Sequence, residues 1–116
     1  MKALTVHAGP RALAQLRSQR LQPHQVRAIP AAGGGPKGLV LNPLDRYLFG
    51  QWLDGQRSAV HLLGVSIGAW RMACACLDDP AAALAETADR YLHQSYEHAS
   101  GQRPSARHVS EVFGPC

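Results

Sequence analysis

The chain has 116 residues, of which 46% are hydrophobic and 17% are charged. This length fits one domain with a modest core, and the composition excludes a disordered or fibrous chain. No apolar run is long enough to span a membrane, and the first residues, Met1 to Leu4, lack the apolar core of a signal peptide. We therefore expect a cytoplasmic protein.

The net charge of +4 is unevenly distributed along the chain. Residues 1–30 contain no acidic residue but five basic ones: Lys2, Arg11, Arg17, Arg20 and Arg27. These residues are dispersed and no aromatic side chain lies among them, so the pattern favours a solvated helix face over a nucleic-acid site. A peripheral membrane contact, if the protein makes one, is expected in this segment.

The cysteines and histidines do not form a recognisable ligand pattern. Cys74 and Cys76 lie two residues apart on a predicted helix, and with Cys116 they fit neither a disulfide framework nor a zinc site. We predict reduced, buried thiols. His93 and His98 are five residues apart, which is a poor spacing for metal ligands on one helix face. No metal or cofactor is expected.

The first predicted elements are a short helix and a strand. Gly9-Pro10 opens a helix over 11–20, and Gln22-Pro23 ends it. Residues 26–32 then read as the first strand of a sheet, in which Pro30 weakens the pairing near the strand's end because it donates no hydrogen bond.

A glycine-rich loop follows this strand, with the sequence Gly33-Gly34-Gly35-Pro36-Lys37-Gly38. Consecutive glycines expose backbone N–H groups, which can form a concave anion site. After the loop, Asn42 is predicted to cap a helix that has Pro43 at its first position and runs to Leu53. A turn at Asp54-Gly55 leads to a second strand over 60–63, so the segment is a βαβ unit with parallel strands.

The second strand runs into the motif Gly64-Val65-Ser66-Ile67-Gly68, and an apolar helix follows directly. A strand, a Gly-x-Ser-x-Gly turn and a helix make up a nucleophile elbow, which presents its serine hydroxyl clear of the sheet. Gly64 and Gly68 permit the strained turn, and the helix N-terminus favours a negative charge beside Ser66. The alternative is a small-residue connection with an incidental serine.

Three interpretations of the glycine loop compete. A Walker phosphate loop is excluded, because Lys37 precedes Gly38 and no Ser or Thr follows. Gly33, Gly35 and Gly38 do satisfy the dinucleotide-binding pattern Gly-x-Gly-x-x-Gly, but no acidic residue stands at the end of the second strand to bind a ribose. The third interpretation is an oxyanion hole that serves Ser66 from the same edge of the sheet.

The two motifs together resemble those of the patatin-like phospholipases of bacterial type. That family has an Asp-Gly-Gly-Gly-x-Arg/Lys-Gly loop and, one helix later, Gly-x-Ser-x-Gly; the similarity covers residues 25–100. The resemblance implies a three-layer α/β/α fold with a mainly parallel sheet and an activity on lipid acyl esters through a Ser–Asp dyad, without a catalytic histidine or a cofactor. It also implies roles for individual residues: Ser66 as nucleophile, Gly33, Gly34 and Gly35 as oxyanion hole, and Lys37 and Gly38 as the supporting end of the loop.

The chain departs from the family pattern at two places. Ala32 stands where the family has Asp, and no Asp-Gly-Gly or Asp-Gly-Ala motif follows Ser66 to supply the dyad aspartate. We therefore expect a partial patatin-like domain of low activity, with an N-terminal helix in 1–24 and a tail in 101–116. A dinucleotide-binding module and an inactive fragment that binds lipid or a partner are the alternatives.

Two further helices and several side chains complete these expectations. The late helices are predicted over 80–98 and around 110–113. Trp70 and Met72, on the helix after the elbow, are predicted core residues, and His61 is expected to make only local contacts in the second strand.

Overall fold

The computed structural model describes residues 5–55, 58–95, 101 and 103–113, and Lys2, His98 and Cys116 lie outside these ranges. The regular elements, in chain order, are α1 (Pro10–Ser18), β1 (Ala28–Ala31), α2 (Asn42–Tyr47), β2 (His61–Gly64), α3 (Ile67–Cys74), α4 (Pro80–Leu92) and α5 (Ala106–Phe113). Short 3₁₀ segments occupy Pro23–Gln25 and Gly35–Leu41, and a π-helical segment occupies Leu48–Trp52. No helix among the described residues is both long and apolar enough to cross a bilayer.

The two strands form a small parallel sheet, as the βαβ pattern predicts. Ala28 pairs with His61 at one end, and Ala31 pairs with Gly64 at the other. Because the strands are parallel and in this register, both carboxyl ends lie at the same edge of the sheet. The chain is thus a mixed helix and strand structure, compatible with part of an α/β fold.

The core lies between the sheet and the helices that follow each strand. Its centre is Leu84 of α4, which is 1% exposed. Met72 and Cys74 of α3 and Phe49 of the π-helical segment are buried in the same cluster, and Ile29 of β1 packs against it. α4 packs on both α2 and α3, so these three helices hold the two turns that follow the strands in fixed positions.

The middle of the chain differs from the prediction in how its helix begins and continues. Asn42 does not cap the helix: its backbone is already helical, with φ −54° and ψ −45°, because the preceding 3₁₀ segment runs directly into α2. Its side chain is free to reach α4, where Nδ2 donates to the carbonyl oxygen of Leu84 at 2.8 Å. The α-helical geometry ends at Tyr47 and changes to π-helical geometry through Trp52.

The other predicted elements are present with shifted ends. β1 begins at Ala28, two residues later than predicted, and includes Pro30. α4 ends at Leu92 instead of His98, and its first turn is capped by Asp79, whose Oδ1 accepts from the N–H of Ala82 at 2.9 Å.

The C-terminal helix is longer than the prediction. α5 begins at Ala106, four residues before the predicted start at Ser110, and Ser105 Oγ accepts from the N–H of His108 at 3.1 Å. This hydroxyl satisfies one of the first-turn N–H groups, which is how a serine N-cap favours an earlier start.

Candidate active site

Ser66 has an unusual backbone conformation at the junction of β2 and α3. Its φ is 56° and its ψ is −130°, and no other described non-glycine residue has a positive φ. An L-residue in such a sparsely populated region costs on the order of 1–3 kcal/mol, and residues of this kind cluster at functional sites. The side chain is exposed, so the strained turn presents a hydroxyl to solvent.

The two glycines of the motif explain why the chain can take this turn. A Cβ placed on Gly64 would lie 2.5 Å from Ala69 Cα, and one placed on Gly68 would overlap the carbonyl oxygen of Ala31. α3 therefore starts in direct contact with the ends of both strands, at a separation that leaves no room for a methyl group. The Gly-x-Ser-x-Gly pattern is a packing requirement here as well as a turn signal.

The glycine loop lies directly against Ser66. A Cβ placed on Gly33 would be 3.2 Å from Ser66 Cβ and 3.9 Å from Ser66 Oγ. This proximity follows from the register: Ala31 and Gly64 are paired at the ends of the strands, and one residue separates Ala31 from Gly33 and Gly64 from Ser66. The sheet edge thus brings the two sequence motifs together.

The loop offers backbone donors at this edge. Within the described part of the chain, the N–H groups of Gly33, Gly34 and Gly35 donate no hydrogen bond to other residues. The N–H of Ile67 is the first of α3 and has no partner within its own helix. Of these loop residues, Gly33 is the one that lies next to Ser66, and unpaired amide donors close to a serine hydroxyl are the kind of group that stabilises the oxyanion of an acyl-transfer intermediate.

The end of the loop anchors it to the elbow helix. Gly38 is buried, and a Cβ at this position would lie 2.8 Å from Ile67 Cγ2, so only glycine lets the 3₁₀ segment contact α3. Lys37 is exposed, and its backbone N–H donates to the carbonyl oxygen of Gly34 at 3.3 Å. The lysine therefore adds a positive charge beside the donors while its backbone closes the turn.

A buried ion pair that the sequence analysis did not predict joins the helix after the glycine loop to the helix after Ser66. Arg71 of α3 donates from Nε to Asp45 Oδ2 at 2.5 Å and from Nη2 to Oδ1 at 2.8 Å. The two side chains are 12% and 5% exposed, and the hydrogen bond to Asp45 raises the pKa of Arg71 above its ordinary value despite the opposing effect of burial. Asp45 stands on the helix that follows the glycine loop and Arg71 on the helix that follows Ser66, so the pair fixes one relative to the other.

The sequence does contain a signal for this pair. Asp45 lies four residues before buried Phe49, and Arg71 lies between buried Ile67 and buried Cys74 at helical spacing. A charged residue at a core-facing helical position requires a partner. Two such residues of opposite sign on neighbouring helices predict an ion pair.

Other side chains near α3 are not all where they were expected. Met72 is buried as predicted, but Trp70 is 44% exposed. All residues of α3 except Arg71 are apolar or glycine, so the composition of the helix does not show which side faces the core. Cys74 is buried, with Sγ 3.1 Å from Thr87 Oγ1, whereas Cys76 is exposed, which contradicts its predicted burial; both are free thiols.

No proton acceptor is placed at Ser66 by the described residues. No carboxylate or imidazole among them hydrogen-bonds to Ser66 Oγ. His61 is exposed on β2, and His93 contacts Asp89 of its own helix, with Nδ1 2.9 Å from the carbonyl oxygen. Groups of three or more residues that could hold a metal ion are also not found in the described ranges.

The alternative dinucleotide site fits this geometry less well. A Gly-x-Gly-x-x-Gly site places the pyrophosphate at the N-terminus of an α-helix that starts in the loop. Here the loop enters a 3₁₀ segment at Gly35, and α-helical geometry begins only at Asn42. Gly38, the third glycine of the pattern, is used to contact Ile67 of α3.

Comparison with known proteins adds no assignment to this geometry. No family model, no curated protein and no solved structure matches the chain significantly.

Proposed function

We propose that this chain carries the nucleophile and the oxyanion hole of a serine acyl-ester hydrolase of the patatin-like type. The observation that carries the proposal is the conformation of Ser66, with φ 56° and ψ −130°, at an exposed turn whose neighbour in space is Gly33. Strained residues cluster at functional sites, and the unpaired amide of the adjacent Gly33 supports a role for this turn in stabilising an oxyanion.

In this proposal Ser66 Oγ attacks the ester carbonyl carbon as its proton passes to a solvent water molecule, and the alkoxide leaves and takes a proton from solvent as the tetrahedral intermediate collapses to an acyl-enzyme. The amides of Gly33, Gly34 and Gly35 stabilise the oxyanion, with the charge of Lys37 nearby. Water then releases the acyl group. The substrate class, an acyl ester of a lipid, follows from the family resemblance, as does a three-layer α/β/α fold to which β1 and β2 would contribute two strands.

No described residue is placed to act as the general base for Ser66, and the expected rate of ester hydrolysis is therefore low. A serine hydroxyl without a base is a poor nucleophile, so hydrolysis through Ser66 is expected to be slow. We expect the 116-residue chain to hydrolyse p-nitrophenyl butyrate slowly but above the uncatalysed rate.

The test is the Ser66 dependence of that slow reaction. Ser66→Ala should reduce it to background, whereas Ser110→Ala, which removes an exposed hydroxyl from α5, should leave it unchanged. Circular dichroism of both variants confirms that they are folded. A rate that is equal in wild type and Ser66→Ala contradicts the proposal.

A further inference from the structure

The N-terminal helix α1 stands apart from the core. None of its residues is buried, and it does not pack on the other described elements as they pack on one another. The molecule is correspondingly elongated, with extents of 59 × 29 × 24 Å and a radius of gyration of 17.4 Å, against about 13 Å for a compact domain of similar length. Packing against the other described elements therefore does not account for the residues of α1.

This segment carries positive charge with no acidic residue among it. Arg11, Arg17, Arg20 and Arg27 are all exposed, and none of them is in an ion pair with a described carboxylate. The first acidic residue of the whole chain is Asp45. The arginines thus have no internal counter-charge, and their charge is available to an anionic partner.

The same helix has an apolar side. Leu13 and Leu16 are three residues apart and share one side of α1, and neither is buried. Beyond the helix, Leu21 is 48% exposed and Val6 is 73% exposed. A solvated helix face, the sequence-based expectation, accounts for the arginines but not for apolar side chains exposed beside them.

We propose that residues 5–27 dock on an anionic lipid surface. Leucines exposed on such a helix enter the acyl boundary of the membrane interface, while the stem of a flanking arginine such as Arg17, four residues after Leu13, carries its guanidinium group to the headgroups. Nucleic acid is disfavoured as the partner because the first Phe, Trp or Tyr of the chain is Tyr47, so the segment lacks the large aromatic platforms on which single-stranded bases stack. A second copy is disfavoured because two such helices repel each other.

The inference does not rest on the hydrolase function, and the test is performed with Ser66→Ala protein so that lipid hydrolysis does not interfere. Binding is measured by co-sedimentation with vesicles of phosphatidylglycerol and phosphatidylcholine, and with vesicles of phosphatidylcholine alone. We expect binding to the anionic vesicles only, weakened by added salt.

Two variants and a charge-matched control separate the contributions. Replacing Arg11, Arg17 and Arg20 by Gln should weaken binding by about fivefold for each arginine, or roughly 100-fold together. The control replaces three exposed arginines elsewhere, which are Arg90, Arg103 and Arg107, and has the same net charge. It should bind nearly as wild type. Leu13→Ser with Leu16→Ser should also weaken binding at least several-fold, since the apolar insertion is lost.

The outcomes that overturn the proposal are equally specific. They are no binding to anionic vesicles, equal loss in the two triple-arginine variants, or full binding by the leucine variant. Competition by single-stranded RNA that the leucine variant retains would assign the segment to nucleic acid instead. Because α1 contributes no buried residue, circular dichroism should show all variants folded.

Discussion

Replacing Ser66 with glycine should stabilise the protein, although glycine substitutions usually destabilise. At φ 56° and ψ −130° the serine Cβ is strained by on the order of 1–3 kcal/mol, and glycine removes that strain. Glycine costs about 0.5–1 kcal/mol more conformational entropy on folding. The side chain of Ser66 is exposed, so little contact energy is lost. The net expectation is a gain of about 1 kcal/mol.

This gain is measurable by thermal or urea unfolding followed by circular dichroism. For a chain of 116 residues, 1 kcal/mol corresponds to about 4 °C in Tm. Ser66→Ala keeps the Cβ and should leave Tm unchanged. Ala85→Gly, in the middle of α4, is the matched control for a glycine introduced without strain relief, and it should lower Tm by about 4 °C.

The comparison between Ser66→Gly and Ala85→Gly tests whether the backbone of Ser66 is strained. The strained elbow predicts that their Tm values differ by about 8 °C, in favour of Ser66→Gly. If Ser66→Gly lowers Tm as much as Ala85→Gly does, Ser66 is not strained and the central geometric argument for a nucleophile elbow fails.

Four further predictions test the surroundings of Ser66. Gly68→Ala should destabilise the fold by about 1–3 kcal/mol or more in urea unfolding, because its methyl group would overlap a carbonyl oxygen of β1; unchanged stability would contradict the close contact. Arg71→Met should cost about 3–5 kcal/mol by leaving Asp45 buried without a partner, whereas Arg90→Met in an exposed pair should cost less than about 1 kcal/mol. Because the pKa of Arg71 is raised, the difference in unfolding free energy between wild type and Arg71→Met should stay constant from neutral to strongly alkaline pH, and a difference that falls near neutral pH in urea titrations would contradict this. Gly35→Ala places its methyl group in open space but at a φ of 54°, so the variant should fold with a loss of about 1–2 kcal/mol in unfolding free energy. If the backbone strain displaces the Gly35 amide, ester turnover should fall by about 100-fold or more. Full turnover would reject Gly35 as an oxyanion donor.

The strand, loop and elbow could be predicted because their signals are local. Gly33 to Gly38 and Gly64 to Gly68 each specify a turn by residue type, and a βαβ connection brings the carboxyl ends of its strands to one edge. The contact between Gly33 and Ser66 follows from that topology, and the structure shows it. Periodicity also located the helices, although it misplaced several of their ends.

The contacts between elements were harder to predict from the sequence. Asp45 and Arg71 are 26 residues apart, and their pairing depends on how α2 and α3 pack. Trp70 is exposed although core burial was predicted, because all residues of α3 except Arg71 are apolar or glycine and the pattern did not distinguish the inward face. Asn42 was predicted to cap a helix because Pro43 follows it. Its side chain instead donates to the carbonyl oxygen of Leu84 on α4, 42 residues further along the chain. All three outcomes depend on tertiary packing between distant parts of the chain, which a short stretch of sequence does not reveal.

The most direct measurement of the central claim is covalent labelling of the folded chain with a fluorophosphonate, mapped by peptide mass spectrometry. An exposed serine on a strained elbow beside amide donors predicts a label on Ser66, none on exposed Ser110, and loss of the label when the protein is unfolded in urea. Ser66→Ala should then remain unlabelled. A label that persists in Ser66→Ala, or that is spread over several serines in the folded wild type, would contradict the assignment of Ser66 as the nucleophile.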